Sequence, residues 1–313
     1  MTHFLYTFNI VCVSDESYVQ HTAVMLCSLF ETNRGKSFNI FLLTNGIKEE
    51  SAGRLNELCR KYDSHIDIIT IDDKDIKDLP VGQWSTMMYY KLFMPTVLPQ
   101  DADRCLFLDV DMIINDDIET LYHWDLKGTV IAAAEDMPDC IQIKDKIGLK
   151  PEDLYINSGV MVCDLAAWRK MEEAHPIFDF VHSVKDIIIN EQNVIALYFR
   201  NHLTLLPIRW NMVTFYYLRV PKIFPKYLSE LREAQHHPGI IHFACPIKPW
   251  FKDCTHPFRH LYKHYLTKTV WGNEYVFPYG EQLTPRQRFN KKIKNLLKHI
   301  GLCRYDGDQM LMK

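Results

Sequence analysis

The sequence has no run approaching the roughly 18 to 20 uninterrupted apolar residues that a membrane-spanning helix needs. Its amino end, MTHFLYTFNIVCVSDES, carries no basic cluster ahead of its short apolar stretch, so no signal peptide is expected. Glycine is scarce, with 12 in 313 residues, and low-complexity tracts are lacking, which excludes collagen-like and fibrous architectures. There is no Asn-x-Ser/Thr sequon, and no Cys-x-x-Cys pair among nine scattered cysteines. Cys12, Cys105 and Cys163 lie inside apolar runs, where cysteine behaves as a small hydrophobe. Reduced, mostly buried thiols in a cytosolic protein are therefore expected, rather than a disulfide framework or a zinc ribbon. Excess charge is lacking too: 36 basic against 39 acidic residues leave -3, which implies no nucleic-acid partner.

What is present is a chain 47% apolar and 12% aromatic, long enough to bury a core without metal or disulfide staples. FNIVCV (8–13), FNIFLLT (38–44) and IDIITI (66–71) read as strands, separated by helical patterns over 18–32 and 48–61. Continuous apolar strands alternating with helices imply an α/β fold, a Rossmann-like, mostly parallel sheet with helices on both faces. The pattern continues through a helical stretch at 85–93, a strand CLFLDVDMII (105–114) interrupted by acids, then VIAAAED (130–136), YINSGVMVCDL (155–165), a helix at 190–198, LTLLP (203–207) and GIIHF (239–243).

In such a sheet, ligands bind beyond the carboxyl ends of the strands. FNIVCV runs into Ser14, Asp15 and Glu16; CLFL runs into Asp109-Val110-Asp111; GIIHF carries His242 near its end. Burying bare carboxylates costs several kcal/mol each unless they are paired or bound to a cation. Asp109 and Asp111 in an apolar setting therefore suggest a divalent metal, the alternative being strand-end aspartates that cap backbone amides or pair with Lys and Arg. His242 gains weight from Lys248-Pro249-Trp250 close behind it. Two carboxylates and an imidazole leave positions open on manganese or magnesium for phosphate oxygens, and the lysine would offset the remaining charge.

Six stretches in order, IVCVSDESYVQH, YYKLFMP, LFLDVDMII, YINSGVMVCDLAAWR, INEQNVI and IIHFACPIKPW, make the chain resemble glycosyltransferase family 8, over roughly residues 1–270. This family comprises retaining nucleotide-sugar transferases of GT-A fold, among them bacterial lipopolysaccharide galactosyl- and glucosyltransferases. The resemblance implies that Asp109, Asp111 and His242 hold the metal, with Val110 near the nucleoside. It implies that Val13 and Asp15 meet the uracil, that Ser17 and Tyr18 hold base and ribose, and that Lys248 meets the diphosphate. Asn157, Glu191 and Gln192 match residues around the transferred sugar, Gln192 on the reacting face of the anomeric carbon. Two departures stand out. Lys91 replaces the usual arginine, keeping the charge without the bidentate fork, and Glu191-Gln192-Asn193 replaces Asp-Gln-Asp.

The expected reaction is therefore transfer of galactose or glucose from a UDP-hexose to a hydroxyl of a glycan or glycolipid acceptor such as lipopolysaccharide, with Mn2+ or Mg2+ as cofactor. The rivals are a metal-dependent nucleotidyltransferase or phosphodiesterase, and a non-catalytic sugar-nucleotide-binding protein. Acceptor selection is expected in the least patterned stretches, 140–154 and 210–237. Residues 271–313 are expected to form an extension with a basic amphipathic helix: Arg286, Arg288, Lys291, Lys292, Lys294 and Lys298 accompany Phe289, Ile293, Leu296, Leu297 and Ile300 on one face. Such a helix suits an anionic membrane surface, which would place the cytoplasmic enzyme peripherally on the inner face of the cytoplasmic membrane. A solvated charged helix is the plainer alternative.

Overall fold

The computed structural model describes residues 7–82, 84–218, 220–246, 248–251 and 254–273, with 286, 289 and 293. The chain opens with β1 (Thr7–Val13), α1 (Val19–Thr32), β2 (Ser37–Thr44), α2 (Glu49–Lys61) and β3 (His65–Thr70), the rhythm expected from the sequence. Then follow α3 (Met94–Val97), β4 (Arg104–Leu108), β5 (Met112–Ile114), α4 (Glu119–Tyr122), β6 (Ile131–Glu135), α5 (Ile141–Ile147), β7 (Ile156–Asp164), α6 (Leu165–Ala174), α7 (Ile177–Val184) and α8 (Glu191–Tyr198). β8 (Leu203–Leu205), β9 (Met212–Val213), α9 (Leu228–His236), β10 (Ile240–His242) and α10 (Arg259–Leu266) complete the described elements.

Seven strands form one sheet in the order β3-β2-β1-β4-β7-β6-β8. β1, β2, β3 and β4 run parallel, β7 is antiparallel to both its neighbours, and β8 is parallel to β6. Both faces are covered. Phe8, Ile10 and Cys12 of β1 enter the core under α1 and α10, whereas Val11 packs on the opposite side with Phe41, Tyr89 and Phe199. Chain order runs outward from β1 to β3 and then returns to β1's other edge at β4. Loops after β1 and β4 therefore diverge at their carboxyl ends and leave a crevice. Asp15 follows β1 and Asp109 follows β4, so topology alone brings these two acids to one crevice.

Two expectations differ from the structure. The stretch 105–114 is two strands in two sheets: β4 belongs to the large one, and β5 pairs antiparallel with β10 in a separate three-stranded sheet, β5-β10-β9. Asp109-Val110-Asp111 is the link between the sheets, which explains acids inside an otherwise apolar run. The helical stretch at Thr86–Phe93 is a 3-10 helix. Pro95 lacks the N–H that an α-helical bond to the Lys91 carbonyl would require, and that carbonyl accepts from Met94 N, three residues on. The expected basic helix lies outside the described residues except at Arg286, Phe289 and Ile293, which are helical, with Phe289 and Ile293 exposed. Among the described residues, no helix is long and apolar enough to cross a membrane.

Candidate active site

The antiparallel register of β5 and β10 sets His242 opposite Met112, and the ladder gains one more rung where Phe243 N donates to the Asp111 carbonyl, 3.0 Å. His242 thus arrives beside Asp111 through backbone pairing. Its Nε2 lies 3.3 Å from Asp111 Oδ1 and 3.8 Å from Asp109 Oδ2, and the three candidate ligand atoms lie within 4.8 Å of one another. Gly159 makes the approach possible. A Cβ there would stand 2.5 Å from His242 Cε1 and 2.8 Å from Asp109 Oδ2, both far inside contact distance.

Cations surround the acids. Lys248 Nζ donates to Asp111 Oδ2, 2.5 Å, and to the Phe243 carbonyl, 3.0 Å. Lys91, buried under the sheet's end with its ammonium over the Phe107 ring, lies 3.5 Å from Asp109 Oδ1 and donates to Glu191 Oε1 at 2.9 Å. It also reaches the Ser158 carbonyl and Oγ, each at 3.3 Å. Burial works to push the Asp111 carboxyl up, but the Lys248 ammonium, with the His242 ring beside it, outweighs burial and holds the group well below the usual carboxylate range. Asp109 is raised: burial, with Asp111 and Glu191 nearby, prevails over Lys91 and His242. Burial opposes charge on Lys91 and Lys248 as well, yet their acidic partners raise both.

This donor set fits a hard divalent cation. Two carboxylate oxygens and one imidazole nitrogen converge, and Asp109 carries an electrostatic penalty that a cation between the acids would relieve. Two surface cavities, about 300 Å3 beside Thr70, Asp72 and Phe93 and about 210 Å3 beside Arg209 and Glu233, share no residue with the cluster.

The sugar-side candidates meet there too. Ser158 Oγ donates to Glu191 Oε1, 2.9 Å, and Ser158 N donates to Gln192 Oε1, 3.2 Å. Gln192 Nε2 in turn donates to Asp136 Oδ2, 2.7 Å, so both ends of its amide are held. Asn157 Oδ1 accepts from Gly159 N at 3.1 Å and Asn211 Nδ2 at 2.8 Å. Asn193, one of the two departures, is fully buried and bonds Tyr155 Oη and Ile189 N, away from Glu191's partners. The missing charge at 193 is accommodated by the core.

After β1, Asp15 Oδ1 accepts from Ser17 N, Ser17 Oγ and Tyr18 N at 2.9, 2.6 and 3.1 Å, and so caps the 3-10 turn Glu16–Tyr18. Ser17 and Tyr18 are exposed, Val13 is half-buried, and Val110 is buried in the link between the sheets. Trp250 is a buried aromatic, stacked on His21 at 3.5 Å between ring centroids, and His21 Nδ1 meets Tyr262 Oη at 2.6 Å. Tyr90 is likewise a core aromatic. Asn211, Asp136, Ser158 and Gly159 went unassigned from sequence. For Asn211 the available signal was a lone amide within the otherwise apolar stretch Trp-Asn-Met-Val.

The profile of "Glycosyl transferase family 8" matches residues 9–254. A relative named general stress protein A, of Bacillus subtilis, is 26% identical over 274 residues, spanning 84% of this chain and 94% of the relative. A lipopolysaccharide 1,2-glucosyltransferase of Escherichia coli is 26% identical over 300 residues, spanning 93% of this chain and 86% of that one. Among solved structures, galactosyltransferase LgtC in complex with donor and acceptor sugar analogs superposes with a TM-score of 0.75 at 22% identity, over 86% of this chain and 100% of LgtC.

Proposed function

Because the chain belongs to glycosyltransferase family 8 and is a glycosyltransferase of GT-A fold, we propose that it transfers galactose or glucose from a UDP-hexose to a hydroxyl of a glycan acceptor, with retention at the anomeric carbon and with Mn2+ or Mg2+ held by Asp109, Asp111 and His242. The observation that carries this reading is the convergence of those three side chains from the junction of the two sheets and from a strand far along the chain. A divalent cation there supplies charge stabilisation for the departing β-phosphate.

The protein's own groups account for the rest. Lys248, already beside Asp111, adds a second positive charge where a metal-bound diphosphate would lie, and it acts most strongly where water is excluded. Asp15 shapes the turn that presents Ser17 and Tyr18, the proposed base and ribose contacts, and Val13 and Val110 line the nucleoside end. Lys91 spends its ammonium on Glu191, Ser158 and Asp109, so its part is to hold Glu191 in place for the sugar. Gln192 is an amide and a poor nucleophile, tethered at both ends. It suits a front-face route in which Gln192 and Glu191 stabilise a cationic anomeric centre, and the acceptor hydroxyl attacks from the side that UDP leaves.

The names of the Escherichia coli relatives support lipopolysaccharide, or another cell-surface saccharide, as acceptor. The stretches 140–154 and 210–237 are proposed to select it, and the tail beyond 270 to bring the enzyme to an anionic lipid surface. A panel of UDP-sugars, with and without manganese and with crude lipopolysaccharide acceptors, tests the reading. Manganese-dependent release of UDP supports it; release of a nucleoside monophosphate with a sugar phosphate contradicts it.

A further inference from the structure

Asn211 is almost fully buried at the start of the small sheet, one residue before β9, and its side chain touches both halves of the site. Its Oδ1 lies 2.9 Å from His242 Nδ1, and its Nδ2 lies 2.8 Å from Asn157 Oδ1. Amide orientation and imidazole tautomer are both assigned from hydrogen-bonding partners, and here a backbone group settles the whole series. Gly159 N is a donor and nothing else. The Asn157 atom it meets at 3.1 Å must therefore be the carbonyl oxygen. An oxygen there demands a donor from Asn211, which turns the Asn211 NH2 toward Asn157 and its oxygen toward the imidazole. That oxygen in turn demands a proton on Nδ1 of His242, in the neutral and the charged ring alike. The nitrogen that can give up its proton to ligate a cation is then Nε2, the atom facing Asp109 and Asp111.

We propose that Asn211 is a positioning residue that locks His242 in the metal-ligating tautomer and joins it to Asn157 on the sugar side of the site. The inference rests on the metal-dependent reading above. It adds that the orientation of the imidazole is dictated from outside the ligand set, by a backbone N–H relayed through two side-chain amides. Partners of this kind behind a ligating histidine typically change metal affinity 10- to 100-fold when removed, in the range of about one to two powers of ten.

The test has two parts. In metal-free wild-type protein labelled with 15N-histidine, with the His242 signals assigned by their loss in His242→Gln, Nδ1 should carry a proton held by the Asn211 oxygen, whatever the state of Nε2. A bare Nδ1 overturns the inference. Manganese binding in the presence of UDP, followed by the electron paramagnetic resonance of free Mn2+, should weaken by about 10- to 100-fold in Asn211→Leu. Asn211→Asp, whose carboxylate still accepts from Nδ1, should bind manganese at least as tightly as wild type, while its KM for the sugar nucleotide rises because Asn157 keeps Gly159 N but loses the N–H of residue 211. Asn211→Leu that keeps the wild-type melting temperature and wild-type manganese affinity overturns the inference. Should wild type bind no manganese, the metal-dependent reading fails, and the ring protonation still decides the role of Asn211.

Discussion

The two sheets of this molecule are built on opposite principles. The seven-stranded sheet has runs of five to nine residues in most of its strands, buried on both faces and flanked by helices. The three-stranded sheet is assembled from Met112–Ile114, Met212–Val213 and Ile240–His242, short pieces drawn from distant parts of the chain. The first spreads its stability over many equivalent contacts. The second has few rungs, yet it delivers His242 and Asn211, and its junction with the first is Asp109-Val110-Asp111. Stability and chemistry are thus unequally shared: a defect in the large sheet should appear in melting, and a defect at the junction in turnover.

The largest effect is expected at the junction. Asp111→Asn removes one proposed metal ligand and the partner of Lys248 while keeping side-chain size. Turnover should fall at least about 100-fold, in line with loss of a single transition-state stabiliser, and added manganese should not restore it. Steady-state UDP release across a manganese titration reads this out. Next comes Gly159→Ala, whose methyl would collide with His242 and Asp109. Overpacking of this kind costs about 1 to 3 kcal/mol in stability, and the displaced imidazole should also lower manganese affinity about tenfold or more. A variant with wild-type metal binding would show that the two sheets have slack where they meet.

Leu106→Ala in β4 sharpens the contrast from the other side. Deleting this buried side chain should cost about 2 to 5 kcal/mol of unfolding free energy, read by denaturant titration, with the KM for the donor unchanged below the melting transition. A donor KM that moved with it would dissolve the distinction between the sheets.

The effect that is smallest near neutral pH, and most diffuse, concerns acid. Burial pulls both His21 and His256 down to about 3 from the ordinary 6.5. The unfolded chain protonates these rings below pH 6.5 and the folded chain does not, so their stabilisation is complete above 6.5 and is lost progressively as pH falls toward 3. The slope approaches about 1.4 kcal/mol per pH unit for each ring. His21→Gln should flatten that slope in urea melts between pH 6.5 and 4; an unchanged slope would place His21 outside the buried Trp250 stack.

The same contrast explains what could be read from the sequence. Long apolar strands and their polar ends announced the large sheet, and the acids that interrupt 105–114 announced the link, because charge in an apolar run needs a reason. That the run splits between two sheets was not legible, since periodicity does not report strand partners. The 3-10 geometry before Pro95 turns on the N–H that proline lacks, which a reading by hydrophobic periodicity does not register. Asp109, Asp111, His242 and Lys248 stood out from the residues alone, as charge and imidazole at apolar strand ends, whereas Glu191 and Gln192 were identified only through the family resemblance; the structure brings the first four together and sets Glu191 beside Lys91. Asn211 and Gly159 escaped because their importance is relational: one matters for the two polar atoms it joins, the other for the atoms its absent side chain leaves room for.

The most direct test of the central claim is an anomalous difference map, at the manganese edge, from crystals grown with MnCl2 and UDP. One strong peak should lie about 2.1 Å from an oxygen of Asp109, an oxygen of Asp111 and Nε2 of His242. A map with no peak between these residues, or a manganese ion bound elsewhere while UDP occupies the crevice, would contradict it.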